Sequence, residues 1–254
     1  MNFFSEKNFA GLKRIIGGRS NDFDDMYMFH LGTLIYTIFV LGLPYYAVFN
    51  WNAVGWSNFS SFWKGVAFSE GGLFVCQILL LLFCHKKNNI NQKILSFSKV
   101  IYGYKIIIDP FVFISISAMD RGVFENIEAF LLTLFLLGIL LHFVLLYRLI
   151  FYIKKGMYSL SDKEIKKEKG SLVLIIPIFL AMVVCSILLL TRYADFDIIF
   201  FLIAAIALFF YTGNAVCDYI MDAYCILRFP SFAINPPPKQ QYVKKKKRRK
   251  KKRR

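Results

Sequence analysis

Between residues 26 and 221 the sequence is a succession of apolar runs. Six of them, at 26–50, 66–84, 97–118, 127–153, 171–191 and 197–221, have the length of about 20 residues that a helix needs to cross the hydrocarbon of a bilayer. Lipid offers backbone N–H and C=O groups no partner, so a crossing segment of this kind satisfies them within its own helix. The expected fold is all-α, a polytopic transmembrane helix bundle of six spans. The second run is the least regular: Glu70, Gly71 and Gly72 near its start leave a short strongly apolar part, Leu73 to Cys84, and a bent or re-entrant element is the alternative to a full span.

The charges agree with this division. Lys and Arg number 32 against 16 Asp and Glu, for a net charge of +16, in a chain that is 57% hydrophobic. Basic residues are retained on the cytoplasmic side of short loops. They gather before the first run (Lys7, Lys13, Arg14, Arg19), in the second connection (Lys86, Lys87, Lys93) and in the fourth (Lys154, Lys155, Lys163, Lys166, Lys167, Lys169). The alternate connections carry only Lys64, Arg121 and Arg192. Six spans with both termini in the cytoplasm satisfy the rule at every loop, which places the protein in the cell membrane as a multi-pass chain.

Three regions follow. Residues 1–25 form a cytoplasmic or interfacial segment, in which Phe9, Leu12 and Ile16 share a helical face beside Lys13 and Arg14; this piece either lies along the membrane surface or frays. It has no long apolar run ahead of a small-residue cleavage site, so the first span is expected to act as its own signal. Residues 26–221 form the transmembrane domain. Residues 222–254 form a linker stiffened by Pro236 to Pro238 and a polybasic tail made of Lys244, Lys245, Lys246, Lys247, Arg248, Arg249, Lys250, Lys251, Lys252, Arg253 and Arg254. At about 1 kcal/mol per basic residue near an anionic leaflet, this run is expected to bind anionic lipids. Polyphosphates such as RNA would attract the same charges, but no aromatics are interleaved for base stacking, and nucleic acid is the less favoured partner.

Ionisable groups at membrane depth need a partner or a purpose. Lys105 and Asp109 are four apart in the third run, and Pro110 follows directly. His142 falls at a similar depth in the fourth run, Arg148 stands nearer its inner end, and Asn214 and Asp218 lie four apart in the last run with Asp222 beyond. The expectation is one internal polar cluster of Lys105, Asp109, His142, Arg148, Asn214 and Asp218. It serves either as a proton or ion path or as a set of polar contacts that lock helices together. No Walker, HExxH or GxSxG motif is present, and the five cysteines and three histidines show no metal-ligand spacing. Neither metal, cofactor nor enzymatic activity is expected.

The opening segment MNFFSEKNFAGLKRIIGG and the plan of spans with a basic tail resemble the uncharacterised six-span membrane proteins that accompany type VII secretion and polymorphic-toxin loci in Gram-positive bacteria. That resemblance implies an immunity or accessory role, exercised by binding a toxin or a secretion-machinery partner in the membrane. A small proton- or ion-coupled transporter or channel built on the Asp/His cluster is the alternative.

Overall fold

In a computed structural model of the chain, the described residues are 4–9, 23–50, 55–156, 183, 187 and 196–234. Among them there is no strand. Five helices are long and apolar enough to cross a membrane: α1 (Phe23–Asn50), α2 (Ser61–Phe83), α3 (Asn89–Asp120), α4 (Phe124–Lys154) and α5 (Phe196–Arg228). The expected span 171–191 lies outside the described residues apart from Val183 and Ile187, as do residues 10–22, loop 157–170 and the polybasic tail.

Local chemistry explains the helix ends. Asn88 caps α3 by accepting from the Asn91 N–H (2.7 Å), so the helix starts at Asn89, well before the strongly apolar part of the run. Ser60 caps α2 in the same way through the Trp63 N–H. From there α2 continues unbroken through Glu70, Gly71 and Gly72 to Phe83, a single helix long and apolar enough to cross a membrane. Gly122, at a φ of 67°, turns the chain from α3 into α4 and donates its N–H to the Met119 carbonyl. Inside α1 the turn Ile38–Gly42 widens to a π-helix. Pro44 lies just beyond it, and its ring would crowd the carbonyl four residues back in a regular helix.

Three clusters of buried side chains give the topology. One joins Phe23 and Met26 of α1, Cys84 beyond α2, Leu95 of α3, Leu149 and Ile153 of α4 and Met221 and Ile226 of α5. A second joins Ile114, Ile127, Leu131, Leu202 and Ile206. A third joins Leu41, Val48, Phe59, Val112 and Ile116. Successive helices α1 to α4 therefore run in opposite directions between a proximal end, where α1 begins, and a distal end. α5 starts distally and returns to the proximal end.

Both ends of the described chain are tied together there. Phe9 packs its ring against Tyr224 and Phe229, both in tilted poses with centroids 5.8 Å apart. Ser231 donates to Glu6. The Gln92 side chain of α3 donates to the Phe232 carbonyl (3.3 Å) and accepts from the Ile234 N–H (2.9 Å).

In lipid the hydrophobic effect does not drive helices together, so close packing has to. α3 is the centre of the bundle, with 61% of its most apolar window buried, against 11% for α2. Two glycines allow α5 to approach. A Cβ built on Gly138 would lie 2.3 Å from the Phe209 ring, and one on Gly103 would lie 2.7 Å from Val216. Gly138→Ala is expected to destabilise the bundle by about 1–3 kcal/mol through overpacking. Shortening Phe209 to Leu in the same chain should recover part of the loss, as read by unfolding in mixed micelles.

Candidate functional site

Lys105 lies near the midpoint of α3, and its ammonium sits between two carboxylates. It donates to both Asp109 oxygens at 2.8 Å and stands 2.6 Å from Glu70 Oε2 on α2, in ion contact but outside hydrogen-bond alignment. The Asp109 side chain is fully buried, Lys105 is 1% exposed and Glu70 is 12% exposed. The i,i+4 spacing puts Lys105 and Asp109 on one helical face, and α2 brings Glu70 to the same depth. With two carboxylates and one ammonium, the triad carries a formal charge of −1 when all three groups are ionised.

The π-turn of α1 faces this triad. The Tyr36 and Tyr45 hydroxyls, one on each side of that turn, are buried with no hydrogen-bond partner among the described residues. Both carboxylates lie within electrostatic reach of the two hydroxyls. Glu70 Oε2 likewise lacks a hydrogen bond. Buried charge at this depth costs several kcal/mol per ion unless it is paired, so protonation of one of the two carboxylates would lower the cost of the arrangement.

The other members of the expected cluster are distributed elsewhere. His142 does not meet Asp109. Its Nε2 is 2.7 Å from the Tyr104 hydroxyl, and the rings pack edge to face. Matching depth was the wrong criterion, because Tyr104 and Asp109 are five residues apart and so about 140° apart around α3. Arg148 donates from Nε to the Tyr152 hydroxyl (2.7 Å) on its own helix and stacks over that ring. Asn214 donates to the Phe210 carbonyl one turn back (2.9 Å). Asp218 and Asp222 act on Lys99, which is nearer the proximal end than Lys105, and the Lys99 ammonium lies 4.3 Å from the Tyr219 ring centroid.

Read along the sequence, Glu70 is a weakness of its span, and neither Lys99 nor Tyr104 stands out. The available signal was periodicity: Glu70 and Gln77 are seven apart, and Ser98, Tyr102, Lys105 and Asp109 recur at intervals of four, three and four, each set marking one face of a helix. Among the described residues, no group of three His, Cys, Asp or Glu side chains has metal-binding geometry. No family model, no curated protein and no solved structure matches this chain.

Removing one partner of a buried ion group costs far more than replacing the whole group. Lys105→Met, which leaves two unpaired carboxylates, is expected to destabilise the protein by about 3–5 kcal/mol. Lys105→Met combined with Asp109→Asn and Glu70→Gln should recover most of that loss, measured as thermal unfolding in the same detergent. If the triple variant is no more stable than Lys105→Met alone, the triad is not the electrostatic unit described here.

Proposed function

We propose that this protein is a small proton- or ion-coupled carrier of the cell membrane, with six spans and both termini in the cytoplasm, and that Glu70, Lys105 and Asp109 are its ion-handling element. One observation carries the reading: a second carboxylate, Glu70, stands against the buried Lys105–Asp109 pair at the middle of the bundle. A purely structural contact would be served by a single Lys–Asp pair. The second carboxylate makes occupancy by a proton or cation the electrostatically balanced state.

The topology is supported by the positions of the described ends. α1 begins and α5 ends at the same, proximal end, beside Lys87, which pairs with Asp24 at 2.5 Å. That end carries the basic connections, which belong in the cytoplasm. The tail, Lys244 to Arg254, would then face the inner leaflet and bind anionic lipid there.

A second reading, partner binding as an immunity or accessory protein, is favoured by α2. With 11% of its most apolar window buried, it leaves Phe62, Phe68, Leu82 and Phe83 on the outside of the bundle, where a partner helix could dock.

Purified protein in sealed vesicles separates the two. Wild type is expected to dissipate an imposed proton or sodium gradient. Asp109→Asn and Glu70→Gln should each slow this by about tenfold or more while the protein stays folded. If wild type moves no ion, or both variants match it, transport is overturned. In that case, loss of a co-purifying membrane partner on Phe68→Ala with Leu82→Ala would favour the partner reading.

A further inference from the structure

The two carboxylates of the triad are not held alike. The Lys105 ammonium donates a hydrogen bond to each Asp109 oxygen at 2.8 Å, and the Asp109 side chain is 0% exposed. A proton arriving on Asp109 would weaken both bonds, because both draw on its charge. Glu70 Oε2 stands 2.6 Å from the same ammonium without an aligned hydrogen bond, and its side chain is 12% exposed. A proton arriving on Glu70 leaves the hydrogen bonds of the Lys105–Asp109 pair as they are.

The surroundings of Glu70 suit a group that changes charge. From α3 it is faced by Lys105 and Asp109, and from α1 by the Tyr36 and Tyr45 hydroxyls, which are buried without a partner among the described residues. A tyrosine hydroxyl both donates and accepts, so it serves a carboxyl in its charged and its neutral form. Further along the same face of α2, Tyr102 donates to the Leu73 carbonyl and Gln77 to the His30 carbonyl (both 2.8 Å). At the distal tip α4 meets α2 where Phe124 packs on Trp63.

A metal cation on Glu70 meets an obstacle that a proton does not. It would stand beside the Lys105 ammonium, and two positive charges about 4 Å apart repel strongly where little water screens them. A proton instead becomes part of the carboxyl.

Glu70 also lies behind thin cover. Side chains lean toward the start of their helix, so the carboxyl sits distal to its own Cα, at the level of Val66 and Ala67. On one flank, about 60° and 100° around the helix, its neighbours are Ala67 and Gly71. Gly71 is exposed, and a Cβ built there would meet nothing within 4 Å.

We propose that Glu70 is the proton-binding carboxylate of the triad, reachable from the lipid side past Ala67 and Gly71, and that Lys105–Asp109 is its fixed ion pair. The inference rests on the ion-handling reading and narrows the ion to a proton. Binding forms one O–H bond on Glu70 with a proton from hydronium, which becomes water, and the formal charge of the triad goes from −1 to zero.

Two readouts test this without flux. The carbonyl stretch of a protonated carboxyl is distinct in the infrared, and carbon-13 in the side-chain carboxyl lowers its frequency. Wild type in lipid vesicles is expected to show a band that shifts when glutamate is labelled, stays when aspartate is labelled, and is lost in Glu70→Gln. Dicyclohexylcarbodiimide, a lipid-soluble reagent that adds to protonated carboxyls, should modify Glu70 as read by mass spectrometry, more slowly as pH rises. Asp109→Asn should slow that reaction by about tenfold or more, because Glu70 is then the sole counter-charge of Lys105 and stays ionised. Gly71→Leu should slow it by about threefold or more by covering the carboxyl while the band remains. Sodium at constant pH should change neither readout.

A band that moves with labelled aspartate, no band and no modification, an unchanged rate in Asp109→Asn, or protection by sodium would overturn the assignment. An unchanged rate in Gly71→Leu would overturn access by that flank. The expected band and labelling in a protein that carries no ion would remove the ion-handling reading and leave the assignment standing. Normal flux with the proton on Asp109 would remove the assignment alone.

Discussion

A lysine ammonium held between two carboxylates in the middle of an apolar bundle constrains everything around it. None of the three charges can be exposed to lipid, so α3, which carries two of them, has to be the innermost helix, and α2, which is otherwise the least buried, has to keep the face bearing Glu70 turned inward. The interaction sets the rotation of two helices and the depth of their contact. Apolar packing between α1, α2 and α3 then follows this register, with Tyr36 and the widened turn of α1 opposite the charges.

The opposite side of α3 obeys a different logic. There α5 approaches closely at Gly103, and α4 meets α5 at Gly138, so association rests on steric fit between backbones and rings. On this side the Tyr104 hydroxyl meets His142 Nε2, His142 Nδ1 has no hydrogen-bond partner among the described residues, and the Lys99 ammonium lies over the Tyr219 ring. One helix thus carries the contact with Glu70 on one face and the close approach of α5 on another.

The spans were legible in the sequence because lipid demands long, apolar, self-satisfied segments, and five of the six runs coincide with helices. The pairing of Lys105 with Asp109 was legible because four residues is a local spacing that any helix converts into contact. What lay beyond the sequence was azimuth. His142 and Asp109 match in depth, yet His142 faces Tyr104, since rotation about a helix is fixed by its neighbours and not by the count from its end. Glu70 was hidden for a related reason: read along its own segment it weakens a span, and only the adjoining helix reveals it as a counter-ion. The proximal extension of α3 to Asn89 was obscured because a polar, capped turn looks like loop when judged by hydropathy.

The tie at the proximal end has a mechanical consequence. Phe9, Tyr224, Phe229 and the two hydrogen bonds from Gln92 fasten the first and last described segments to each other and to the start of α3. Helices joined at one end by ring contacts and hydrogen bonds, and packed at the other through apolar side chains, pivot about the joined end. A small tilt is then magnified along their length, and the largest excursion falls on the distal layer of Leu41, Val48 and Val112 while the knot itself barely moves.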